Sequence, residues 1–220
     1  LSPFTAEKSP SFYVNDDKQF FKDFSSGKSG DCFTWLIEAE RLTFPEAVER
    51  LAELTGVPLP ADTPEEKARD TRRDRLLAIV AQAHAFFVNG LKKPAAAEAR
   101  RYLDGRGFTP ADCQTFGLGY APDGWRGLLD HLTDKGVAED DIIAAGLAIK
   151  PDGRPNGYDR FRNRIIFPIG DAAGRVISFG GRALTPEDKP KYLNGPDSDL
   201  FHKGQVLYRF NEARKALGNS

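Results

Sequence analysis

Between Tyr158 and Lys203 the chain sets cations at the ends of apolar runs. Tyr158-Asp159-Arg160-Phe161-Arg162-Asn163-Arg164 leads into Ile165-Ile166-Phe167-Pro168-Ile169. Val176-Ile177-Ser178-Phe179-Gly180-Gly181-Arg182 follows, then Lys191-Tyr192-Leu193-Asn194 and His202-Lys203-Gly204. Apolar, β-branched runs of this length read as strands. Cations fixed at strand ends can hold a polyanion: Arg offers a rigid fork to phosphate oxygens, Lys a mobile point charge. Tyr192, between Lys191 and Leu193, could stack on an unpaired base. From residue 156 to 215 there are 11 Lys+Arg against 7 Asp+Glu, although the whole chain carries a net charge of -1. The distribution of charge therefore says more than its total.

Each of these residues also has an ordinary structural explanation. Any one cation could sit in a surface ion pair with an acid such as Asp159 or Asp197. Gly180-Gly181 could let backbone approach a phosphate or could simply form a tight turn. Trp125 and Phe201 read as core anchors. The cluster Arg69, Arg72, Arg73 and Arg75 reads as a solvated helix face.

No catalytic acid, base or nucleophile stands out. Two-metal phosphoryl transfer needs clustered carboxylates, and the acids here are scattered. His84, His131 and His202 have no spacing that suggests a metal site, and Cys32 and Cys113 lie far apart in no metal-like or redox-like pattern. A chain that is 40% hydrophobic and 29% charged over 220 residues is ordinary for a soluble protein with a real core. No run reaches the roughly 20 apolar residues of a membrane span, and no signal-like segment is present, so a cytoplasmic location without membrane contact is expected. The sequence opens on Leu1 and contains no Met, which points to part of a longer product.

The elements that must position the cations follow from periodicity. Residues 11–15 and 19–24 read as two short strands with a turn at Asn15-Asp16-Asp17-Lys18. Such a ribbon buries too little to stand alone. A helix beginning near Phe33 and a second opening on the capping box Thr43-Phe44-Pro45-Glu46 would support it, the second with an apolar stripe of Phe44, Val48, Leu51 and Leu54 that ends at Gly56. Residues 57–62, Val-Pro-Leu-Pro-Ala-Asp, read as an extended linker. Thr63-Pro64-Glu65-Glu66 then starts a long helix with a stripe of Leu76, Leu77, Val80, Ala83, Phe86 and Phe87. Further helices are expected over 95–106, from Thr109-Pro110 to Gly117, over 125–135 and over 139–145. Beyond Ala148 the period shifts to two, and a last helix is expected over 209–217. The fold class is α+β: a small ribbon-plus-helices domain at 1–56, a linker at 57–63, and a mixed domain at 64–220 with a helical cap and a small sheet.

Several ordered motifs carry a family resemblance: Pro3-Phe4 with Glu7-Lys8-Ser9-Pro10-Ser11-Phe12, the run Phe44 to Leu51, Tyr102-Leu103 with Arg106-Gly107, Gly119-Tyr120-Ala121-Pro122 with Gly124-Trp125, and the strand-and-cation stretch. The chain resembles the N-terminal half of bacterial DnaG-type DNA primases over essentially all of its length. The resemblance implies a zinc-ribbon domain followed by the amino-terminal subdomain of the RNA polymerase domain. It also implies a basic surface that passes single-stranded DNA template to a TOPRIM subdomain, expected after Ser220, whose acids bind Mg or Mn. A replicative helicase is the further partner it implies. The DNA-binding surface of the family falls here on Arg106, Arg160, Arg162, Arg182, Lys191, Tyr192 and Lys203. The span alone is expected to position DNA without joining nucleotides.

One departure from the family matters. Its ribbon holds zinc with a Cys-x2-His pair and a Cys-x2-Cys pair, and those positions fall here on Ser2, Thr5, Asp23 and Ser26. Hydroxyls are poor zinc ligands and one carboxylate cannot anchor the ion, so zinc is not expected in this span. Without it the ribbon must be held by packing on its helices or be less ordered than its relatives. This loss keeps a second reading open, a primase-derived module that binds nucleic acid or assembles with proteins and has no polymerase activity. In a third, the ribbon has become a protein-interaction surface while the polymerase half still works.

Overall fold

The computed structural model describes residues 1–59, 63–153, 156–209, 211 and 213. The chain divides into two units, Leu1–Thr63 and Pro64–Ser220. Residues 60–62 of the expected linker, and most of the helix expected over 209–217, lie outside the described residues.

In the first unit β1 (Phe12–Asn15), β2 (Phe20–Asp23) and β3 (Ser29–Gly30) form an antiparallel sheet in that order. β3 has only two residues, too few to show the alternation that marks a strand in sequence. Helix α1 (Cys32–Ala39) starts where Asp31 accepts the Thr34 backbone N–H at 2.9 Å. Its Trp35 joins Phe4, Phe12 and Phe21 in a cluster with ring centroids 5.2 to 6.5 Å apart. Aromatic edge and offset contacts of this kind add to the area they bury, and they supply the packing the ribbon needs. Helix α2 (Phe44–Thr55) opens where the Thr43 backbone N–H and hydroxyl both donate to Glu46 at 2.7 Å, and it ends at Gly56 in the left-handed conformation. The expected stripe is only partly buried. Val48 and Leu51 are half-buried and Phe44 and Leu54 exposed, and the buried residue of the helix is Ala47, outside that stripe.

The second unit is organised on α3 (Pro64–Lys92), with Glu65 and Glu66 in its first turn and Lys92 in its last, matching the helix dipole. Its buried residues Leu76, Ile79, Val80, Ala83 and Phe87 form the spine of the main core. A 3-10 turn over Pro94–Ala96 precedes α4 (Ala97–Asp104), so the single helix expected over 95–106 begins as a tighter turn at its proline. Next come α5 (Pro110–Thr115), β4 (Gly119–Ala121), α6 (Gly127–Thr133) and α7 (Glu139–Ala144). β5 (Ala148–Ile149) pairs with β6 (Tyr158–Asp159), and β7 (Arg164–Gly170), β8 (Val176–Ala183) and β9 (Tyr192–Asn194) complete the main sheet in the order β4-β7-β8-β9, all antiparallel.

Strand β4, unforeseen in the sequence, lies against α3. A Cβ on Gly90 would meet the Tyr120 carbonyl oxygen at 2.5 Å, and one on Gly119 would meet Phe87 at 2.6 Å. Both glycines are therefore required by close approach of helix to strand. One sheet face, with Ile166, Ile177 and Phe179, packs on α3. Ile165 and Tyr120 face the second cluster, with Ala99 and Leu103 of α4. The cap packs on that second face over β4 and β7 and reaches β8 through Tyr102, which lies against Arg182.

Candidate nucleic-acid interface

On this second face, strand register aligns residues in rows. Ile165 of β7 pairs with Arg182 of β8, which pairs with Tyr192 of β9; Phe167, Gly180 and Asn194 form the next row. Because side chains alternate along a strand, each row projects to one face. Gly180, having no side chain, leaves a trough between Phe167 and Asn194. The tight-turn reading of Gly180-Gly181 does not hold, since both lie within β8. A Cβ on Gly181 would meet Phe161 at 2.8 Å and Arg164 Cδ at 3.0 Å, so that glycine serves inner packing. The trough opens into a cleft of about 650 Å³ lined by Phe108, Phe116, Phe167, Arg182, Tyr192 and Lys203, among others.

Edge strand β9 separates this cleft from another. Tyr192 and Asn194 line the first cleft, and Leu193 lines the second, which has a volume of about 440 Å³ and includes Trp125, Tyr158, Arg160, Arg162, Arg164 and Lys189. The seven residues singled out in sequence thus divide. Arg182, Tyr192 and Lys203 share the first cleft, and Arg160 and Arg162 share the second. Arg106 lines neither, but its guanidinium lies 5.3 Å from the Tyr102 ring, whose centroid is 3.6 Å from the Arg182 guanidinium carbon. Lys191, exposed just before β9, has its Nζ 5.6 Å from the Tyr192 ring centroid.

The partners of these cations separate them from a set of paired arginines elsewhere in the unit. Arg72 pairs with Asp199 at 2.9 Å, Arg75 with Asp141 at 3.1 Å, Arg126 with Asp130 and Glu139, and Arg175 with Asp171. Those ion pairs neutralise the cations and tie their own unit together, which is what becomes of much of the α3 basic cluster. Among the described residues, Arg106, Arg160, Arg162, Arg182, Lys191 and Lys203 make no side-chain ion pair. Arg160 donates to the Asn194 carbonyl at 3.0 Å and Arg162 to the Asp159 carbonyl at 2.5 Å. The Arg162 guanidinium also lies beside the edge-to-face pair of Trp125 and Tyr158, 4.5 and 4.9 Å from their centroids. Arg182 Nε and Nη1 are buried with no hydrogen-bond partner among the described residues. Burial pushes the Arg160 and Arg164 guanidiniums below their usual range. Carbonyls and ring faces orient these cations without cancelling their charge.

The expected partner Asp159 does something else. Its carboxylate is buried and accepts the Leu128 and Leu129 backbone N–H groups at 2.8 and 2.9 Å, holding the start of α6. Burial raises its pKa to about 6 against the lowering effect of those two bonds. Asp197 accepts the Lys203 backbone N–H at 3.0 Å and so fixes the loop that carries that lysine. Phe201 is a core residue as expected, but Trp125 is 65% exposed, because α6 begins two residues after it. Arg164 escaped the sequence reading; it is buried and donates to the Pro190 and Asp188 carbonyls at 2.7 and 3.1 Å, shaping the second cleft. Also missed were Tyr13, Lys22 and Phe24 of the ribbon, where Tyr13 and Phe24 are exposed and edge-to-face at 5.7 Å and Lys22 Nζ lies 4.7 Å from the Phe24 ring. Alternation along the two ribbon strands was the signal that could have found them. Among the described residues no three His, Cys, Asp or Glu side chains converge as metal ligands, and no helix is long and apolar enough to cross a membrane.

The family profile for the DNA primase catalytic core, N-terminal domain, matches residues 86–214, more than half of the chain. The chain belongs to the DNA primase family. A second profile, the CHC2 zinc finger, matches residues 1–67. The DNA primase of Pseudomonas aeruginosa is 42% identical over 217 residues, which cover 97% of this chain and 32% of that protein. The DNA primase of Escherichia coli is 39% identical over 215 residues, covering 97% and 37%. The chain thus spans about a third of the length of the curated primases it matches. Among solved structures, a DnaG primase catalytic domain bound to ssDNA is 40% identical with a TM-score of 0.62, covering 68% of this chain and 46% of that one. The zinc-binding and RNA polymerase domains of Aquifex aeolicus primase are 32% identical with a TM-score of 0.61, covering 99% and 51%. The α+β architecture is therefore a primase architecture.

The zinc-finger match sharpens the question of the metal. The four positions aligned with the ligand set carry three hydroxyls and one carboxylate, with neither thiolate nor imidazole. That donor set does not fit zinc.

Proposed function

We propose that this chain is the template-handling portion of a DNA primase, with residues 1–56 a ribbon domain, 57–63 a linker and 64–220 the amino-terminal subdomain of the RNA polymerase domain. The whole protein would be a DNA-directed RNA polymerase that makes short primers for replication. Its Mg or Mn would be held by a TOPRIM subdomain outside these 220 residues, and a replicative helicase would be its partner. The observation that carries the reading is the contrast in pairing. Arg72, Arg75, Arg126 and Arg175 are paired with acids, whereas Arg160, Arg162 and Arg182 at the two clefts are held by carbonyls and rings and make no side-chain ion pair among the described residues.

Single-stranded DNA would lie along the β8–β9 face with its phosphates near Arg182, Lys191 and Lys203 and a base on Tyr192. Arg106 would approach from the cap, and Arg160 and Arg162 would act across β9. Backbone contacts of this kind position a strand without reading its sequence. The DnaG domain solved with ssDNA shares the fold of this region and supports the assignment. It also disfavours the reading as a module without polymerase activity.

Photocross-linking tests the path. A bromodeoxyuridine-substituted single strand should cross-link within residues 182–203. Cross-links confined to the Arg69–Arg75 face of α3 would overturn the proposed surface.

A further inference from the structure

The place that a metal would hold in the ribbon is filled. Asp23 ends β2, is fully buried, and is surrounded by hydroxyls from three separate segments. Ser2 donates to Oδ2 at 2.8 Å, the Ser26 hydroxyl donates to the same oxygen, and the Ser26 backbone N–H reaches it at 3.1 Å. Ser11 and Ser25 lie 3.0 Å from Oδ1. A carboxylate has about four lone-pair sites, and this one faces four donors, the Ser2, Ser25 and Ser26 hydroxyls and the Ser26 N–H, with the single Ser11 proton shared between it and Glu7. Its acceptor capacity is used, and a cation could reach it only by displacing them.

The network extends outward in the same fashion. Ser2 Oγ accepts the Phe4 and Thr5 backbone N–H groups at 3.0 and 3.2 Å, which folds the first loop onto the carboxylate. Thr5 and Ser25 join the two loops through their hydroxyls. Glu7 accepts the Ser2 and Ser11 backbone N–H groups, and the Ser11 hydroxyl lies between the Glu7 and Asp23 carboxylates. Burial alone would raise the pKa of Asp23, but the hydrogen bonds from Ser26, Ser2, Ser25 and Ser11 outweigh it and hold the group well below the usual carboxylate range. Beside this network, the rings of Phe4, Phe12, Phe21 and Trp35 pack together.

We propose that the Asp23 carboxylate, saturated by the hydroxyls of Ser2, Ser11, Ser25 and Ser26, replaces zinc as the cross-link of the ribbon, so that the first unit folds without metal. The physical exchange is plain. A tetrahedral metal ties two loops by four bonds to one centre; here one buried anion ties the same loops, and β1 as well, by charge-assisted hydrogen bonds to one centre. Ser11 and Ser25 lie outside the four aligned ligand positions, so the substitute is more than a set of vacated sites. Folding of the ribbon is thereby uncoupled from zinc supply and from chelation.

The test uses the full 220-residue chain carrying Trp125→Phe, so that Trp35 alone reports on the ribbon. The purified protein should contain no stoichiometric zinc, and EDTA should leave the Trp35 melting midpoint unchanged. Asp23→Asn should lower that midpoint, and Ser25→Ala should lower it less. A fourfold variant, Ser2→Cys, Thr5→His, Asp23→Cys and Ser26→Cys, should take up one zinc per chain and become chelator-sensitive. One zinc retained by the parent, an EDTA-induced loss of its Trp35 transition, an unchanged midpoint for both Asp23→Asn and Ser25→Ala, or a fourfold variant that folds yet takes up no zinc would each overturn the proposal.

Discussion

Arg182 and Tyr192 stand directly opposite each other across the β8–β9 pairing, on the sheet face that lines the first cleft. Arg182 is fixed from its other side by Tyr102, 3.6 Å away, while Tyr192 is 66% exposed. A cation with no acid partner among the described residues, beside an exposed ring, is suited to one phosphate and the base attached to it.

Arg182→Ala should weaken binding of a single-stranded oligonucleotide by about 1.5–3 kcal/mol, the scale of a charge-assisted hydrogen bond. Because its guanidinium packs on Tyr102, the thermal midpoint should also fall, and binding is compared at a temperature where both proteins are folded. Arg182→Lys should recover only part of the affinity, since an ammonium lacks the planar fork. Fluorescence anisotropy and a melting curve on the same samples check both halves; an intact affinity for the alanine variant would remove Arg182 from the interface.

Tyr192→Ala should cost about 1–3 kcal/mol of binding if a base stacks on the ring, and Tyr192→Phe should cost little. Equal losses for the two variants, measured by anisotropy, would assign the effect to the hydroxyl instead.

The paired glycines of β8 should differ sharply. Gly181→Ala places a methyl 2.8 Å from Phe161 and should destabilise by about 1–3 kcal/mol in chemical denaturation, as overpacked sites do. Gly180→Ala meets only Asn194 Oδ1 at 3.3 Å, so it should fold normally and act on DNA binding by narrowing the trough.

Asp159 should titrate near pH 6 in the folded chain, followed by carboxyl-carbon chemical shift. Its folded-state pKa is raised, so the native protein holds this proton more tightly than the unfolded chain does. The resulting stability is present at low pH and is lost as pH rises through about 6. Relative to Asp159→Asn, the parent should therefore lose up to about 3 kcal/mol between about pH 4 and 6. A flat difference in urea unfolding over that range would refute the assignment.

How much of this was legible depended on distance along the chain. The capping box at Thr43–Glu46 was plain from three-residue spacing, and it forms; the helix start at Thr109-Pro110 was read as well, and the structure adds a second box there through Asp112. α3 was equally plain, because a long amphipathic stripe outweighs local ambiguity. β4 was not, since Gly119-Tyr120-Ala121 is too short to alternate and is buried throughout. The cations could be picked out by type and family motif, but their division by β9 follows from register, which sequence does not state. Loss of the zinc ligands at Ser2, Thr5, Asp23 and Ser26 was visible residue by residue. The compensating role of Ser11 and Ser25 was not, because it arises only when three segments meet.

The central claim is that unpaired cations on the β8–β9 sheet face hold the template, and the salt dependence of binding tests it most directly. For single strands the logarithm of affinity falls by about 0.7 per phosphate contact for each tenfold rise in salt. Lys191→Ala combined with Lys203→Ala, measured against the parent over a salt series, should weaken binding and reduce that slope by about 1.4. An unchanged affinity with an unchanged slope would place the DNA on another surface.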